Sequence, residues 1–266
     1  VEPLSSSSMT EASPGFLSGL RELCDEHGVV LIFDEVYTGW GRTGNLFNFM
    51  RVAGLIPDIL VYAKTFGGGK SSISGYTARK KIFNGAYNTS IADATLHSST
   101  YFGLAEETIT AIEAIRVVVE EDFPRRALEL GEKFRAMVHS ASRGLGWFSE
   151  LRTFGALNGF IPQSRFAERL VETTDRIVPG YIPEPKSLFA GRLVSAAASE
   201  YLYRRHGVLT YVGFNVGSPL KISFPLVAGE SELRVATDAV VDLLSRSKRQ
   251  LFAEVGRMVR RGLSTI

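Results

Sequence analysis

The stretch at residues 29–70 constrains the fold more than any other, because it holds two short apolar runs that each end in a charge. The run Val29–Phe33 is followed by Asp34, and the run Ile59–Ala63 is followed by Lys64. A continuous apolar run of this length between turn signals predicts a strand buried on both faces, which is typical of parallel sheets. Ligands of such sheets bind at the carboxyl ends of the strands. We therefore expect Asp34 and Lys64 at neighbouring strand ends.

The composition is that of an ordinary globular protein and argues against several kinds of partner. Of 266 residues, 45% are hydrophobic and 22% are charged, and the net charge is +2. This balance predicts neither nucleic-acid binding nor a membrane span. The single cysteine, Cys24, allows no internal disulfide and no cysteine-based metal cluster, and it is predicted to lie in the core. With neither a membrane span nor a signal-peptide pattern, the sequence predicts a cytoplasmic protein. No bound metal is expected.

Helix and strand signals alternate along the first half of the chain and predict an α/β fold. Ser13-Pro14 starts the first helix and Gly28 stops it. Further along, residues 84–99 are predicted to form a loop, and Phe123-Pro124 is predicted to break a helix. The predicted elements are strands at residues 29–33, 59–63 and 71–77, and helices at residues 14–27 and 106–121.

From residue 144 the pattern changes to mixed helices and strands, which fits a second, smaller α+β domain. We assign residues 1–140 to the first domain and residues 141–266 to the second. The predicted elements of the second domain are strands at residues 147–152, 156–161, 208–212 and 220–224, and helices at residues 166–176, 193–205 and 231–244. A helix at residues 128–138 precedes it.

Two glycine-rich segments in the opening stretch imitate nucleotide-binding motifs. Residues 39–44 match G-x-G-x-x-G, but residues 35–38 separate them from the strand and no helix is predicted after them. Gly69-Lys70-Ser71 is similar to the end of a P-loop, but Lys64 occupies the position of its first glycine and a β-like segment follows. We interpret both segments as turns.

Asp34 and Lys64 allow two interpretations from their chemistry alone. The first is an ion pair that caps two strands. In the second, a buried carboxylate keeps a pyridine nitrogen protonated, and a desolvated lysine forms a Schiff base with an aldehyde. These are the two protein groups that pyridoxal phosphate requires, so the pair fits either a structural or a cofactor-binding role.

The residues around this pair resemble the signature of class III pyridoxal-phosphate-dependent aminotransferases, the ornithine and ω-amino-acid group. The resemblance extends from Glu2-Pro3 to about Leu244. It implies fold type I, with residues 1–140 as the C-terminal portion of the mostly parallel-sheet, cofactor-binding large domain and residues 141–266 as the small α+β domain. The motifs that carry it are LIFDEVYTGWGRTG at residues 31–44, PDIL at residues 57–60, AK at residues 63–64, GGG at residues 67–69 and HSSTY at residues 97–101.

The resemblance implies a role for each matching position. Lys64 would form the internal aldimine and move the proton between Cα and the cofactor's C4′, while Asp34 would keep the pyridine nitrogen protonated. Tyr37 stands where the family usually has a glutamine near the cofactor's 3-oxygen. Thr100, with Ser99, would hold the phosphate of the neighbouring subunit's cofactor, which implies a homodimer with shared active sites. The implied reaction exchanges an amino group between an amine or amino acid donor and an oxo-acid or aldehyde acceptor.

Two more positions bear on the substrate. Glu2 matches a glutamate that, in some members of the family, pairs with an arginine that clamps a substrate carboxylate. Lys221 stands in the place of that arginine, and a lysine offers a point charge where arginine offers a bidentate fork. The resemblance therefore implies weaker or different recognition of an α-carboxylate, or a substrate without one. A surface lysine on an edge strand is the alternative interpretation.

Two departures from the family pattern leave other functions open. The loop at residues 84–95 is several residues longer than usual, and the family's N-terminal portion, with its phosphate loop and stacking aromatic, is absent. We therefore expect either part of a longer polypeptide or a chain that cannot work alone. An aminomutase, epimerase or decarboxylase would use the same Asp34 and Lys64. A non-catalytic truncated remnant is the alternative from another class, and the intact pair argues against it.

Overall fold

A computed structural model describes residues 1–96, 100–163, 165–177, 179–180, 185–213, 217–247, 250 and 253. The chain forms two compact units. The first comprises Val1–Ser6 and Thr10–Arg126, and the second comprises Ser7–Met9 and Ala127–Ile266.

The first unit alternates helices and strands as the sequence predicts. Its strands are β1 (Leu4–Ser5), β2 (Thr10–Glu11), β3 (Ile32–Asp34), β4 (Ile59–Tyr62) and β5 (Gly75–Ala78). Its helices are α1 (Pro14–His27), α2 (Lys80–Tyr87) and α3 (Ala105–Glu120), with short 3-10 turns at Asn48–Arg51, Lys64–Gly67 and Ile91–Thr95. The predicted caps of α1 are confirmed: the Ser13 side chain accepts a hydrogen bond from the Phe16 amide, and Gly28 is left-handed with φ 64°.

The main sheet of this unit has the strand order β3-β4-β5, and β3 and β4 run parallel. Asp34 is in register with Val61, so both strands end at the same edge, as predicted. At the opposite end, the Asp58 carboxylate accepts hydrogen bonds from Arg21 Nη1 and from the Leu31 amide, each at 2.8 Å. This carboxylate therefore fixes α1 and the segment before β3 to the start of β4.

The core of the first unit contradicts one prediction about β3. Successive side chains of a strand point to opposite faces, so Leu31 and Phe33 enter the core while Val30 and Ile32 point outwards, 43% and 42% exposed. The prediction that this run is buried on both faces is therefore wrong for this chain. The core cluster consists of Leu17, Cys24, Leu31, Phe33, Val52 and Leu55, which confirms the core position predicted for the cysteine.

The connection from β4 to α3 is more ordered than predicted. The predicted loop at residues 84–99 contains the end of α2 and the 3-10 turn Ile91–Thr95. Asp93 closes that turn by accepting a hydrogen bond from the Ser90 amide at 2.7 Å, which is the kind of local bond that small polar side chains make. The strand predicted from residue 71 begins only at Gly75, because the chain is still turning through the left-handed Gly68 and Gly69.

The second unit is a four-stranded antiparallel sheet with helices alongside, which is the α+β arrangement expected. Its strand order is β6-β7-β9-β8. The elements are β6 (Phe148–Phe154), β7 (Leu157–Pro162), α5 (Arg165–Ile177), α6 (Lys186–His206), β8 (Tyr211–Val212), β9 (Leu220–Ser223) and α7 (Glu230–Ser245). Helix α4 (Phe123–Ala141) begins in the first unit and ends in the second. Within the described ranges, no helix combines the length and the apolar character that crossing a membrane requires.

The division between the units falls between Arg126 and Ala127, inside α4, whereas the sequence places the second domain after that helix. A continuous helix carries no sequence mark at an internal division, while the glycines at residues 144 and 146 give a clear turn signal beyond it. The assignment of residues 1–140 and 141–266 to two domains stays a prediction.

Candidate active site

Lys64 lies just beyond the end of β4, on a turn with a strained backbone. β4 ends at Tyr62, the 3-10 turn Lys64–Gly67 follows, and Gly68 closes it with φ 62°. Lys64 itself has φ 51°, and this left-handed conformation costs a residue with a side chain about 1–2 kcal/mol. Such strain persists only where the surrounding structure imposes it, and it is typical of functional sites.

Asp34 ends β3 at the same edge of the sheet. Its Oδ1 accepts a hydrogen bond from the Val36 amide at 3.0 Å, and its own amide donates to the Val1 carbonyl at 2.9 Å. The residue is exposed, whereas the cofactor interpretation assumed a buried carboxylate; it shares the outward face of β3 with Ile32. Its charge acts on the Lys64 amine, so the two predicted groups do lie together.

The pKa of the Lys64 amine is lowered from the ordinary value for lysine. Desolvation is the largest cause, and the Arg42 guanidinium adds to it, while the carboxylates of Asp34 and Glu2 act in the opposite direction. A lysine of lowered pKa is more often neutral near pH 7, and the neutral amine is the nucleophile. Lys64 itself is exposed, whereas the cofactor interpretation assumed a desolvated lysine; the direction of the pKa shift nevertheless favours covalent chemistry at this amine.

Tyr37 is buried and contacts two cations. Its side chain is 6% exposed, and Lys64 Nζ and Arg42 Cζ lie 6.0 Å and 5.1 Å from the centroid of its ring. Both separations fall within the range over which a cation is attracted to the face of an aromatic ring. Sequence reasoning missed Arg42, because the segment at residues 39–44 was interpreted as a turn. The available signal was its place inside the family signature.

Glu35 anchors the loop at residues 36–47, which carries Tyr37 and Arg42. The residue is fully buried. Its carboxylate accepts hydrogen bonds from the Asn48 amide at 3.0 Å and from the Phe49 amide at 2.8 Å, and the Thr38 hydroxyl also donates to it. These bonds tie both ends of the loop to the residue that follows β3.

The pKa of Glu35 is raised, because burial outweighs the hydrogen bonds that the carboxylate accepts and the nearby charge of Arg51. Sequence reasoning missed this residue as well. Its signal was the position directly after Asp34, since strand alternation sends the second carboxylate to the opposite side from the first.

Aromatic contacts fix the same loop to the Lys64 turn. The Trp40 ring stacks on Phe66 with centroids 5.1 Å apart and planes at 16°. It also makes edge contacts with Phe47 at 5.0 Å and with Tyr62 at 5.4 Å. Each such pair contributes about 0.5–1.5 kcal/mol beyond the burial of its area. Because Phe66 belongs to the turn that begins at Lys64, the loop and the lysine are held in one arrangement.

Glu2 lies in the same neighbourhood. It is half-buried, and its carboxylate accepts hydrogen bonds from the Ser6 amide at 3.2 Å and from the Ser6 hydroxyl at 2.6 Å. Its charge also acts on the Lys64 amine. The first unit therefore brings together one group of side chains, called here the Lys64 cluster: Glu2, Asp34, Tyr37, Arg42 and Lys64.

The other predicted binding positions lie elsewhere in the chain. Thr100 is exposed in a turn before α3, and Ser99 lies outside the described residues. Lys221 lies in β9 of the second unit, 5% exposed, with Nζ 5.0 Å from the centroid of the Tyr211 ring. Since β9 pairs with β7 and β8, the alternative of a surface lysine on an edge strand is wrong. In the part of the chain that the structure describes, no group of three or more His, Cys, Asp and Glu side chains could hold a metal ion.

Comparison with known proteins identifies the family. The model of the class III aminotransferases matches residues 1–178, and the chain belongs to this family. The succinylornithine transaminases of Citrobacter koseri and Salmonella agona are each 34% identical to it over 168 residues, which are 63% of this chain and 39% of the relative. The chain thus spans about two fifths of the length of these curated relatives.

Solved structures show the same fold. The ornithine aminotransferase of Toxoplasma gondii ME49 has a TM-score of 0.70 at 25% identity, over 92% of this chain and 50% of that one. A transaminase from the marine bacterium Virgibacillus and a Bacillus anthracis aminotransferase reach TM-scores of 0.74 and 0.75 at 20% identity, over 94% and 93% of this chain and 53% and 52% of theirs. The predicted fold type I architecture is confirmed.

The Lys64 cluster fits pyridoxal phosphate, the cofactor of the class III aminotransferases. It offers an amine of lowered pKa for the aldehyde, a carboxylate at the neighbouring strand end for the ring nitrogen, and a buried phenol. Another structure of the Toxoplasma gondii enzyme has this cofactor in partial occupancy at its active site. The predicted cofactor is therefore confirmed at the level of the family.

Proposed function

We propose that this chain forms part of a pyridoxal-phosphate-dependent aminotransferase that exchanges an amino group between an amine or amino acid donor and an oxo-acid or aldehyde acceptor. The single observation that most supports the proposal is Lys64, an amine of lowered pKa on a strained turn within the segment that matches the family. A lysine that only caps a strand needs neither the strain nor the lowered pKa.

In this proposal Lys64, Asp34 and Tyr37 hold the cofactor. Pyridoxal phosphate supplies an electron sink for negative charge at the substrate carbon that bears the nitrogen. Lys64 would hold the cofactor covalently through its neutral amine, and once the substrate amine has displaced it, the freed amine would take up the proton of that carbon and return it. Asp34 would favour the protonated form of the ring nitrogen. Tyr37 would stand in place of the family's glutamine as a donor to the 3-oxygen.

We propose that Lys221 and Glu2 take part in substrate recognition. Lys221 is almost completely buried and its Nζ faces the Tyr211 ring, so the position of its charge is fixed by packing. As a point charge it binds a carboxylate with less geometric selection than an arginine fork. The names of the relatives, succinylornithine transaminase and ornithine aminotransferase, favour a donor with a terminal amine on an aliphatic chain.

We also propose a homodimer with shared active sites, in which Ser99 and Thr100 hold the phosphate of the partner subunit's cofactor. Exposed apolar side chains that follow Thr100 along the chain support this arrangement. Tyr101 is 74% exposed, and Ile109 and Ile112 of α3 are 66% and 60% exposed. Contiguous exposed apolar residues mark protein–protein interaction sites.

The domain assignment and the location complete the proposal. Residues 1–140 form the C-terminal portion of the cofactor-binding large domain, and residues 141–266 form the small domain. We also propose a cytoplasmic location, as the sequence predicts.

Covalent labelling tests the role of Lys64. Pyridoxal phosphate added to the purified chain should give the absorbance band of lysine-bound cofactor, and reduction with borohydride followed by mass spectrometry should locate the label on Lys64. The variant Lys64→Ala should lose the band. Lys70→Ala, which removes an exposed lysine outside the Lys64 cluster, should keep it. A label spread evenly over surface lysines would refute the proposal, and so would the absence of any label on a polypeptide that also carries the family's N-terminal portion.

Product analysis separates transamination from the other reactions that the same residues support. Transfer of the amino group to an added oxo-acid identifies an aminotransferase, because only this enzyme needs the acceptor. Turnover without any acceptor identifies an aminomutase, epimerase or decarboxylase instead.

A further inference from the structure

We infer that Arg42 is a positioning residue for Lys64, acting through the shared ring of Tyr37 and through the repulsion between two neighbouring cations. The inference deepens the proposed function, on which it rests for the role of Lys64. It gives a task to a side chain that neither the cofactor nor the substrate assignment uses.

The first step is the geometry of the two cations. Arg42 Cζ and Lys64 Nζ lie 5.1 Å and 6.0 Å from the same ring centroid. The ring belongs to Tyr37, which is buried, so packing fixes the position of the ring. Because each cation is attracted to this ring, the ring holds two like charges near each other that would otherwise separate.

The second step is the rigidity of the loop that carries Arg42. Glu35 accepts hydrogen bonds from residues at both ends of the loop, and Trp40 stacks on Phe66 of the Lys64 turn. Gly41 approaches the backbone of Pro124 so closely that an added Cβ would lie 3.2 Å from its nitrogen. Arg42 therefore extends from a fixed backbone, and its contact with the Tyr37 ring places its charge beside the ring that Lys64 also contacts.

The third step is the balance of charges around the Lys64 amine. The carboxylates of Asp34 and Glu2 favour the protonated amine, while Arg42 is the cation that opposes them and adds to the effect of desolvation. Helix α3 packs against the turn through a small, uncharged residue, Ala114, which lies beside Gly68. Without Arg42, the two carboxylates would act on the amine against desolvation alone.

The consequence concerns the pH range in which Lys64 reacts. A neutral amine is needed for covalent attachment and for proton uptake, and a neighbouring positive charge increases the neutral fraction at a given pH. Arg42 thus extends the reactive range of Lys64 towards neutral pH while Tyr37 keeps the amine in place.

Competitive acylation tests this inference without any cofactor. The purified chain is treated with trace acetic anhydride across a pH series, and the extent of reaction at Lys64 is read by mass spectrometry of its peptide. We expect Arg42→Gln to raise the midpoint pH of Lys64 acylation, because a cation that opposes protonation of the amine is removed. Arg42→Lys keeps the charge and should restore most of the original midpoint. Arg42→Met keeps the aliphatic stem without the charge and should behave like Arg42→Gln.

The control variant is Lys70→Gln, which removes one positive charge from the same region but not from the Lys64 cluster, and it should leave the midpoint unchanged. An unchanged midpoint in both Arg42→Gln and Arg42→Met, with circular dichroism that shows folded protein, overturns the inference. An equal shift in Lys70→Gln also overturns it, because the effect would then be one of net charge. If the midpoints shift as expected but pyridoxal phosphate never labels Lys64, the proposed function fails while the inference stands.

Discussion

Two adjacent carboxylates at the end of β3 have opposite surroundings. Asp34 is exposed at the edge of the sheet, and its Oδ1 accepts a hydrogen bond from the Val36 amide. Glu35 is fully buried and accepts three hydrogen bonds. The exposed carboxylate is therefore available to a ligand, while the buried one holds the loop on which Tyr37 and Arg42 lie.

Replacement of Glu35 should test that structural role. We expect Glu35→Ala to lower the free energy of unfolding by about 3 kcal/mol, because it leaves the buried amide of Asn48 and the partly buried amide of Phe49 without their acceptor. Urea unfolding followed by circular dichroism measures the change. Glu22→Ala, at an exposed position of α1, is the matched control and should change stability by less than about 0.5 kcal/mol. Equal stability of the two variants would contradict the assigned role of Glu35.

The sequence predicts site residues where they directly follow a predicted strand. Asp34 and Lys64 follow apolar runs, and the family signature added Tyr37 and Glu2; the structure brings all four together. Arg42 and Glu35 were missed because their importance lies in contacts across a folded loop, which no local spacing encodes. A buried carboxylate is recognised by its donors, and here these donors come from residues up to position 49.

At the scale of elements, a glycine of the G-x-G-x-x-G motif serves packing inside the loop at residues 36–47, with no role in phosphate binding. A Cβ added to Gly39 would lie 2.8 Å from the Glu35 carbonyl oxygen and 3.0 Å from the Phe47 ring. This glycine therefore permits close packing inside the loop. The prediction that residues 39–44 form a turn is confirmed, and no helix begins there.

Helix boundaries were less well predicted than helix existence. Phe123-Pro124 was predicted to end one helix, and α3 does end at Glu120, but α4 begins directly at Phe123. Proline is tolerated in the first turn of a helix, where its missing N–H would have no intrahelical partner. The same residue therefore stops one helix and opens the next, and the sequence pattern alone indicated only the stop.

Helices α6 and α7 are joined by a carboxylate that several side chains share. Asp242 of α7 accepts a hydrogen bond from the Tyr201 hydroxyl at 2.6 Å, lies 2.9 Å from His206 Nε2, and also pairs with Arg246. Partial burial alone would raise the pKa of Asp242, but these hydrogen bonds outweigh it and lower the pKa to about 2. The folded state therefore stabilises the ionised form of this side chain.

The pH dependence of stability should report this pairing. An aspartate pKa lowered on folding stabilises the protein above the unfolded pKa, near 3.8, and the stabilisation is lost as the pH falls towards 2. We expect Asp242→Asn to cost about 1–2 kcal/mol at pH 7 and progressively less below pH 4. Urea unfolding at a series of pH values measures the difference. Asp238→Asn, exposed on the same helix, should show no such trend, and a constant cost across the series would contradict the interpretation.

At the scale of the whole molecule, α3 has two apolar sides. Ala111 and Val118 are buried, whereas Ile109, Ile112 and Val119 are 58–66% exposed. The sequence pattern predicts that these isoleucines and valines share one apolar side of the helix. Helical periodicity shows that they recur together, but it does not show which of them face the core and which face outwards. A second apolar stripe on a helix is the surface expected for contact with another chain.

Charged substitutions on this outer stripe should affect association. If the proposed homodimer uses α3, the double variant Ile109→Glu with Ile112→Glu should shift the chain from dimer to monomer in analytical ultracentrifugation, because the carboxylates would be buried unpaired at the interface. Val235→Glu, at an exposed apolar position of α7, is the matched control and should leave the distribution unchanged. A monomeric unsubstituted chain, or a double variant that remains dimeric, would contradict the proposal.

At Lys64 the residue that is best for folding stability differs from the residue that covalent chemistry needs. For stability alone, glycine would serve better at this position, since it adopts φ 51° without the cost of a Cβ. In a chain without the reaction, substitution of this lysine by glycine or asparagine would therefore be tolerated and would increase the stability of the fold. The lysine therefore costs the fold free energy that a glycine would not, and the covalent role proposed for its amine would account for that cost.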